Sequence, residues 1–553
     1  MQVRIEMKTV MKYWNAGLTI LLGIGIFLFW YVSYPFALTY QEQYQLFLFT
    51  SDYFVERVSI VGGFADYIAD FFVQFYYVPW MGALCIALLS MALQLLTLQV
   101  MKRFVAEGRS LAFSLLSFIP PVLMVRLMGD ESVLLTYMVS MVLVLLAVWL
   151  LAQIKWYWEL LLIPLIYWLT GPMCWLYVAL RMVQVIVLGE RGWNRAGLCV
   201  VLPLWLLATE CLAYVTVMQQ WPPEAVLFYI NYYRTPMQMP LLMALIPLVV
   251  VIVVLLARVH INIKVGTGIA FIALIAAVVY VPSGFDTEKY ELIRQDQLIR
   301  AGQWDKIIER AKTHVVRTTF WSNSVNLALS QKRQLAEQMF NYYQSGEDAL
   351  VMRPYRDLTS NLPTAEAYYR LGLINSAQRY MFDIQESIMN FKKSGRCTKR
   401  IAECMLINGH YKPAAKQLNI LKHSLFYRSW AEQMEQCLYK DSMVDAIPEY
   451  KRLRQLRFKD DFLFSYGEIE KIFGLLFVNN SDNKMALDYF LAEQLLKGNM
   501  QDFMHYLSWA QQYGGYKYMP EGYQDAVRSI QTQGRQGGKY ANYVQRMMNS
   551  KQQ

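Results

Sequence analysis

The 553-residue sequence contains no C-x-x-C pair among its seven cysteines, so zinc-finger and thioredoxin-like chemistry lack their ligands. Its five histidines, His260, His314, His410, His423 and His505, never fall into H-E-x-x-H spacing, which removes the common metalloprotease signature. No G-x-S-x-G elbow, G-x-G-x-x-G turn or Walker loop is present, so a serine hydrolase and a nucleotide site lack their motifs. Charge is scarce: 17% of residues are charged against 56% hydrophobic. The net charge of +10 does not point to nucleic acid, because no arginine-rich arm accompanies it. Much of the basic excess in the first half lies in short loops beside apolar runs, where it orients membrane proteins.

What the chain has in abundance is apolar runs, and they are unevenly spread. Residues 1–282 are a series of them; residues 283–530 are polar and helix-rich; residues 531–553 hold closely spaced glycines around one last short helix. A membrane span needs roughly 20 mostly apolar residues. Spans are expected near 16–38, 78–100, 110–125, 133–152, 156–171, 172–189, 196–218, 239–258 and 265–282, about nine in all. The basic N-terminal flank resembles a signal peptide. The run behind it is long and has no small-x-small cleavage site, so it reads as a retained first span. The fifth and sixth spans are short and meet at "LTGPM" (Leu169–Met173). Cys85, Cys174, Cys199 and Cys211 lie inside apolar runs; Cys397, Cys404 and Cys437 lie in the polar half, where one bridge such as Cys404–Cys437 is open.

Lysine and arginine orient the bundle. With a cytoplasmic N-terminus, the inner loops carry Arg4, Lys8, Lys12, Lys102, Arg103, Arg109, Lys155, Arg191, Arg195, Arg258 and Lys264. The outer loops carry only Arg57, Arg126 and Arg234, with Glu42, Asp52, Glu56, Asp66, Asp70, Asp130, Glu131 and Glu224. An odd span count then puts the polar half outside the cytoplasm, in the periplasm of a bacterium. The expected fold class is all-α: a polytopic bundle in the inner membrane followed by a soluble helical domain.

In the polar half, helix–turn–helix segments recur around Gly302, Gly372, Gly409 and Gly498, as in "CMLINGHYKPAAKQLNIL" (Cys404–Leu421). Some spacings approach one or two 34-residue periods. This cadence resembles degenerate tetratricopeptide (TPR) repeats, which implies a solenoid with a concave surface for a protein or peptide partner.

The first outer loop, about 39–77, is long for a bundle of short connections. Phe64, Ile68, Phe71, Phe72 and Phe75 fall on one helical stripe, and Asp66, Asp70 and Gln74 on another. The expectation is an interfacial helix with its carboxylates on the wet face. Glu42 follows the first span, and "RLMGDES" (Arg126–Ser132) joins the third and fourth. This layout resembles membrane glycosyltransferases of the GT-C type, which transfer sugars from polyprenyl-phosphate donors and carry acidic residues at both places. Some also have TPR-like tails. In the first half, which the resemblance covers, no Asp-x-Asp or Asp-Asp pair and no sequon-reading motif is evident, so the resemblance leaves divalent-cation use and the acceptor open. It implies Glu42, Asp130 and Glu131 as catalytic carboxylates, Arg126 or Arg234 as phosphate partner, and Asp66 and Asp70 near the substrate. The arrangement also resembles bacterial inner-membrane families of unknown function.

Two charges lie inside spans, Arg181 and Glu210. Such groups are costly in lipid and belong either to a substrate or ion path or to a pair fixing helix packing; these two are placed to pair with each other. Lys155 and Glu159, at i and i+4, read as a local ion pair. Three functions follow: a GT-C-like transferase, a membrane-anchored TPR-like scaffold, and a transporter using Arg181 and Glu210. The transporter lacks an inverted repeat or matched broken helices.

Overall fold

The computed structural model describes residues 2–105, 114–188, 193–219, 239–259, 262–355, 357–389, 392–459, 464, 466–513, 516, 518–532 and 537–551. Among these residues all regular structure is helical. The chain forms two compact units: Met1–Thr287 together with Met389–Lys392, and Glu288–Ile388 together with Lys393–Gln553.

The first unit contains α1 (Gln2–Leu28), α2 (Pro35–Glu42), α3 (Ser51–Val58), α4 (Gly63–Val73), α5 (Pro79–Phe104), α6 (Ile119–Leu127), α7 (Leu135–Leu150), α8 (Glu159–Thr170), α9 (Cys174–Leu188), α10 (Trp193–Thr216), α11 (Leu241–Leu256) and α12 (Ile263–Tyr280). Five helical stretches are long and apolar enough to cross a membrane: Trp14–Ser33, Pro79–Phe104, Glu159–Val187, Gly197–Thr216 and Ile263–Gly284. Three further apolar helices, Ser114–Leu127, Leu135–Leu150 and Leu241–Leu256, are shorter.

The first span stops earlier than its hydropathy suggests. Phe29–Ser33 widens into a π turn, and Pro35 opens α2 at its first turn. Proline suits a helix start and cannot continue a helix that needs its N–H. The centre of the bundle is α5, whose Lys102 and Arg103 close its last turn and complement the dipole. It holds its neighbours through a buried polar chain. Thr19 Oγ1 donates to Gln94 Oε1 at 2.9 Å, and Gln94 Nε2 donates to Ser117 Oγ at 2.9 Å. Such bonds act as interhelical glue in lipid.

The stretch Glu159–Val187 is not one straight helix. Gly171, at φ +64° and ψ −151°, occupies a region open almost only to glycine. A straight helix would separate Glu159 from Arg181 by about 33 Å. Instead Arg181 Nε donates to Glu159 Oε1 at 2.6 Å, and Tyr177 Oη donates to Glu159 Oε2 at 2.8 Å. So α8 and α9 run antiparallel, as the short fifth and sixth runs require.

In the second unit, the expected helix pairs form at all four glycines. Gly302, Gly372, Gly409 and Gly498 have φ of +63°, +90°, +78° and +75°, the left-handed conformation that ends helices. At Gly372 a side chain is also sterically barred, because a Cβ would stand 2.9 Å from Leu456 Cβ. Arg333 (φ +59°) and Tyr439 (φ +60°) adopt the same conformation without glycine, and Gly346 (φ +86°) adds a further left-handed position between Arg333 and Gly372. The final helix, Lys539–Lys551, is not the loose tail expected. Tyr540 and Tyr543 are buried, and their hydroxyls donate to Leu495 O at 3.3 Å and Leu496 O at 2.8 Å. Cys397, Cys404 and Cys437 are unbridged and buried, so the suggested Cys404–Cys437 disulfide does not form.

Candidate functional site in the outer loops

The loop between the first two spans folds into α2, α3 and α4, and it meets the turn between α6 and α7. Glu42, at the last residue of α2, is 3% exposed, and Gln41, Gln43 and Gln45 are buried beside it. Four polar side chains turned inward within five successive positions mark a polar interior rather than a solvated loop. Gln41 Nε2 donates to Glu131 O at 3.3 Å. The chain next to Glu42 and the Asp130–Glu131 turn are therefore brought together across 90 residues of sequence.

That turn is tightly held. Asp130 Oδ1 accepts from Ser132 N at 3.0 Å and Glu131 Oε1 from Ser132 Oγ at 3.2 Å. Gly129 packs on Gly284 so closely that a Cβ on Gly129 would lie 2.6 Å from Gly284 O. Arg126 does not hang free in the loop. Its Nε and Nη2 donate to Ser283 Oγ at 3.2 Å and Ser283 O at 3.1 Å, and its guanidinium stacks over Tyr280 at 4.8 Å. Those contacts tie α6 to the end of α12 and leave the guanidinium without a carboxylate partner.

Asp66 and Asp70 overturn the wet-face expectation. The buried face of α4 is Gly63, Ala65, Ala69, Asp70 and Val73, while Phe64, Ile68, Phe71 and Phe72 are half-buried. The small residues let α4 approach α7 closely, and the carboxylates go inward because cations meet them there. Lys392 Nζ lies 2.8 Å from Asp66 Oδ1 and 2.8 Å from Asp70 Oδ1. Arg57 Nη1 is 3.7 Å from Asp66 Oδ2. Thr136 Oγ1 donates to Asp66 Oδ1 at 2.7 Å, and Tyr53 Oη donates to Asp70 Oδ2 at 2.8 Å. Burial raises the Asp70 pKa and the nearby Asp66 charge raises it further. Burial pushes Asp66 the same way, but Lys392 and Arg57 outweigh it and hold Asp66 below its ordinary value. Burial also raises the Tyr53 phenol well above its usual range, so it stays a donor. The network joins α3, α4 and the start of α7.

The proposed intramembrane pair is also corrected. Arg181 pairs with Glu159 and donates to Gln184 Oε1 at 2.6 Å. Glu210 instead accepts from Trp175 Nε1 at 2.9 Å. The fold-back at Gly171 brings the start of α8 to Arg181, which a neighbouring-span argument does not anticipate. The same contact removes the Lys155–Glu159 pair; Lys155 lies over the Tyr157 ring at 5.9 Å. Arg234 falls outside the described residues. Among these residues no group of three or more His, Cys, Asp or Glu is placed to hold a metal ion.

Sequence reasoning missed Gln41, Tyr53, Thr136 and Lys392. Arg57 was visible only as the odd cation in an acidic outer loop. Lys392 carries no local signal, since it stands among other lysines of the polar half. In the second unit, burial pushes Glu493 up to about 8 and Asp488 up to about 6, and neither stood out in sequence.

Five helices long and apolar enough to cross a membrane among the described residues, with the buried Arg181–Glu159 pair within one of them, mark an all-helical membrane protein. Within that class the chain belongs to a family of unknown function, DUF6057, whose model matches residues 10–552. No curated protein and no solved structure matches the chain.

Proposed function

We propose that the protein is a GT-C-like transferase of the bacterial inner membrane, with its site at the periplasmic face. The observation that carries this reading is the meeting of the Glu42 end of α2 with the Asp130–Glu131 turn through Gln41 and Glu131 O. These are the two acidic places the GT-C layout requires. On this reading Glu42 takes the proton of an acceptor hydroxyl as that oxygen attacks the sugar carbon. The bond from that carbon to the donor phosphate breaks, and the polyprenyl phosphate leaves with the electron pair. Arg126, with no carboxylate of its own, stabilises the departing phosphate. Arg234 is the second candidate for that role. Asp130 and Glu131 orient the acceptor or hold a divalent cation. The Asp66–Asp70–Lys392 network serves as a rigid floor for the outer-loop helices rather than as a direct substrate contact.

The orientation follows the lysine and arginine bias, with the N-terminus cytoplasmic and the polar half periplasmic. The antiparallel α8–α9 pair supports an odd number of crossings, because it contributes an even number. The test is direct. Glu42→Gln and Asp130→Asn should each lower sugar transfer from a polyprenyl-phosphate donor, in vesicles holding the full chain, by about 100-fold or more, at unchanged protein level. Full activity in both variants would sink the transferase.

A second reading, a TPR-like scaffold for envelope proteins, is favoured by a groove of about 680 Å³ in the second unit. It is lined by Leu475, Phe490, Asp502, His505 and Trp509 among others. Its apolar floor and charged rim suit a peptide.

A further inference from the structure

A second cavity in the first unit has no place in the transferase reading. It is a groove of about 860 Å³ between α1, the Ser114–Leu127 helix and α12, walled by residues such as Leu18, Leu22, Phe118, Phe271 and Val278. Its origin is geometric. The helix α1 packs along α5, while α12 packs on the Ser114–Leu127 helix. Each wall is thus fixed to the middle of the bundle, and the polar chain Thr19–Gln94–Ser117 fastens that middle.

The two ends of the groove differ. Beyond the outer end, Phe285 stacks on Tyr34 at 4.5 Å between ring centroids and meets Phe29 at 5.3 Å and Trp30 at 5.8 Å. That aromatic cluster closes the gap between the first span and the segment after α12. At the other end the lining residues are Trp14, Ile263 and Lys264. Lys264 is the second residue of α12, is exposed and has no carboxylate partner among the described residues. From Lys264 to Val278 the wall runs about 21 Å, longer than the ~15 Å depth of one leaflet.

Lys264 is the one charged residue among the described residues lining the groove, so an acyl chain lying in it places an anionic headgroup at that end. We propose that the groove holds one acyl chain of an anionic glycerophospholipid from the leaflet containing Trp14 and Lys264, with the lipid phosphate seated on the Lys264 ammonium. The charge at the mouth selects an anionic headgroup, and the Trp14 indole sits at the headgroup level that tryptophan favours. The site lies at the end of the bundle opposite to Arg126, so it binds a structural or regulatory lipid and not the proposed donor.

Gly268 supplies a clean probe. It lines the groove, and a Cβ built there meets nothing within 4 Å. Gly268→Leu therefore projects a side chain into the groove from a position where its Cβ meets nothing. The full chain, reconstituted in nanodiscs containing phosphatidylglycerol and re-extracted in mild detergent, is read by native mass spectrometry. The wild type should keep a single phosphatidylglycerol through extraction. Gly268→Leu should lose it. Lys264→Gln should hold it about tenfold more weakly, with Lys264→Arg restoring it. Leu204→Ala, an exposed apolar change on α10, should have no effect. Equal retention in wild type, Gly268→Leu and Lys264→Gln overturns the proposal. So does a dimer that Gly268→Leu disrupts, or retention of a polyprenyl phosphate in place of phosphatidylglycerol. Should Gly268→Leu fail to fold, the Lys264 series decides the matter alone.

Discussion

Lys392 is the residue on which the buried outer-loop charges depend most. It is the nearest cation to both Asp66 and Asp70, and its own side chain is 3% exposed. Removing one partner from a buried ion network leaves an uncompensated charge, which costs about 3–5 kcal/mol. Lys392→Met should therefore lower the unfolding midpoint of the detergent-solubilised chain sharply. The double variant Asp70→Asn, Lys392→Met should recover much of that loss, because Asp66 then faces Arg57 alone and the charges balance again. In Lys392→Met both carboxyls lose the cation that favours their ionised form, so their folded-state pKa values rise. A raised carboxyl pKa stabilises the fold at low pH and loses that contribution as pH rises. The deficit of the single variant should thus shrink in acid. A double variant no more stable than Lys392→Met would remove Asp70 from the network. Thermal unfolding followed by intrinsic tryptophan fluorescence supplies both readings.

At the level of elements, the α8–α9 pair turns a sequence ambiguity into geometry. One continuous crossing would put Lys155 and Val187 on opposite sides of the membrane; the fold-back puts them on the same side. Single cysteines at those two positions, in a background freed of native cysteines, should react alike with a membrane-impermeant thiol reagent. Reaction of only one from a given side would break the antiparallel pair. The pair also shows which features were legible in sequence. The Gly-Pro turn at Gly171 and Pro172 was readable, because glycine and proline announce backbone constraints locally. The four glycine turns of the second unit were readable for the same reason, whereas Arg333 and Tyr439 were not, since nothing in those side chains advertises a positive φ. The face that α4 buries was misread. Aromatic periodicity argued for an interfacial helix with its carboxylates on the wet face, but Ala65 and Ala69 give the closer approach and Lys392 makes inward carboxylates affordable. Hydrophobic pattern sees area; it does not see a counter-ion more than 300 residues away. The Arg181–Glu159 contact escaped for a related reason, because it depends on a reversal between two helices rather than on spacing within one.

For the whole chain, the decisive quantity is the parity of membrane crossings. The N-terminal segment and the loops at Lys102, Lys155, Arg195 and Lys264 are basic; of the loops between them, 39–77 and 126–132 carry an acidic excess, Leu169–Met173 is uncharged and 219–238 balances Glu224 with Arg234. On the proposed topology each apolar run from α1 to α12 crosses, with α8 and α9 counted as a pair. Several of these are short: Leu241–Leu256 is about 24 Å long, Ser114–Leu127 about 21 Å and α8 about 18 Å, against a hydrocarbon core of ~30 Å. Their capacity to cross rests on local thinning and on flanking residues that reach the interface. With the proposed cytoplasmic N-terminus, an odd total would carry the chain out of the cytoplasm at α12, and no apolar stretch of similar length follows Tyr280 among the described residues. A reporter fused after Gln553 that is active only outside the cytoplasm should therefore give signal, and a cytoplasm-only reporter should stay silent. The same pair fused after Lys155 should give the reverse. Cytoplasmic activity at Gln553 with an unchanged result at Lys155 would mean that one run after α7 does not cross. Parity would then put the segment after α12, including the Ser283 and Gly284 contacts of Arg126 and Gly129, on the cytoplasmic side. Those contacts join that segment directly to the Arg126–Ser132 turn, so a bundle that placed the two on opposite sides of the membrane would have to break them. The fusion result and the Arg126–Ser283 geometry thus test each other.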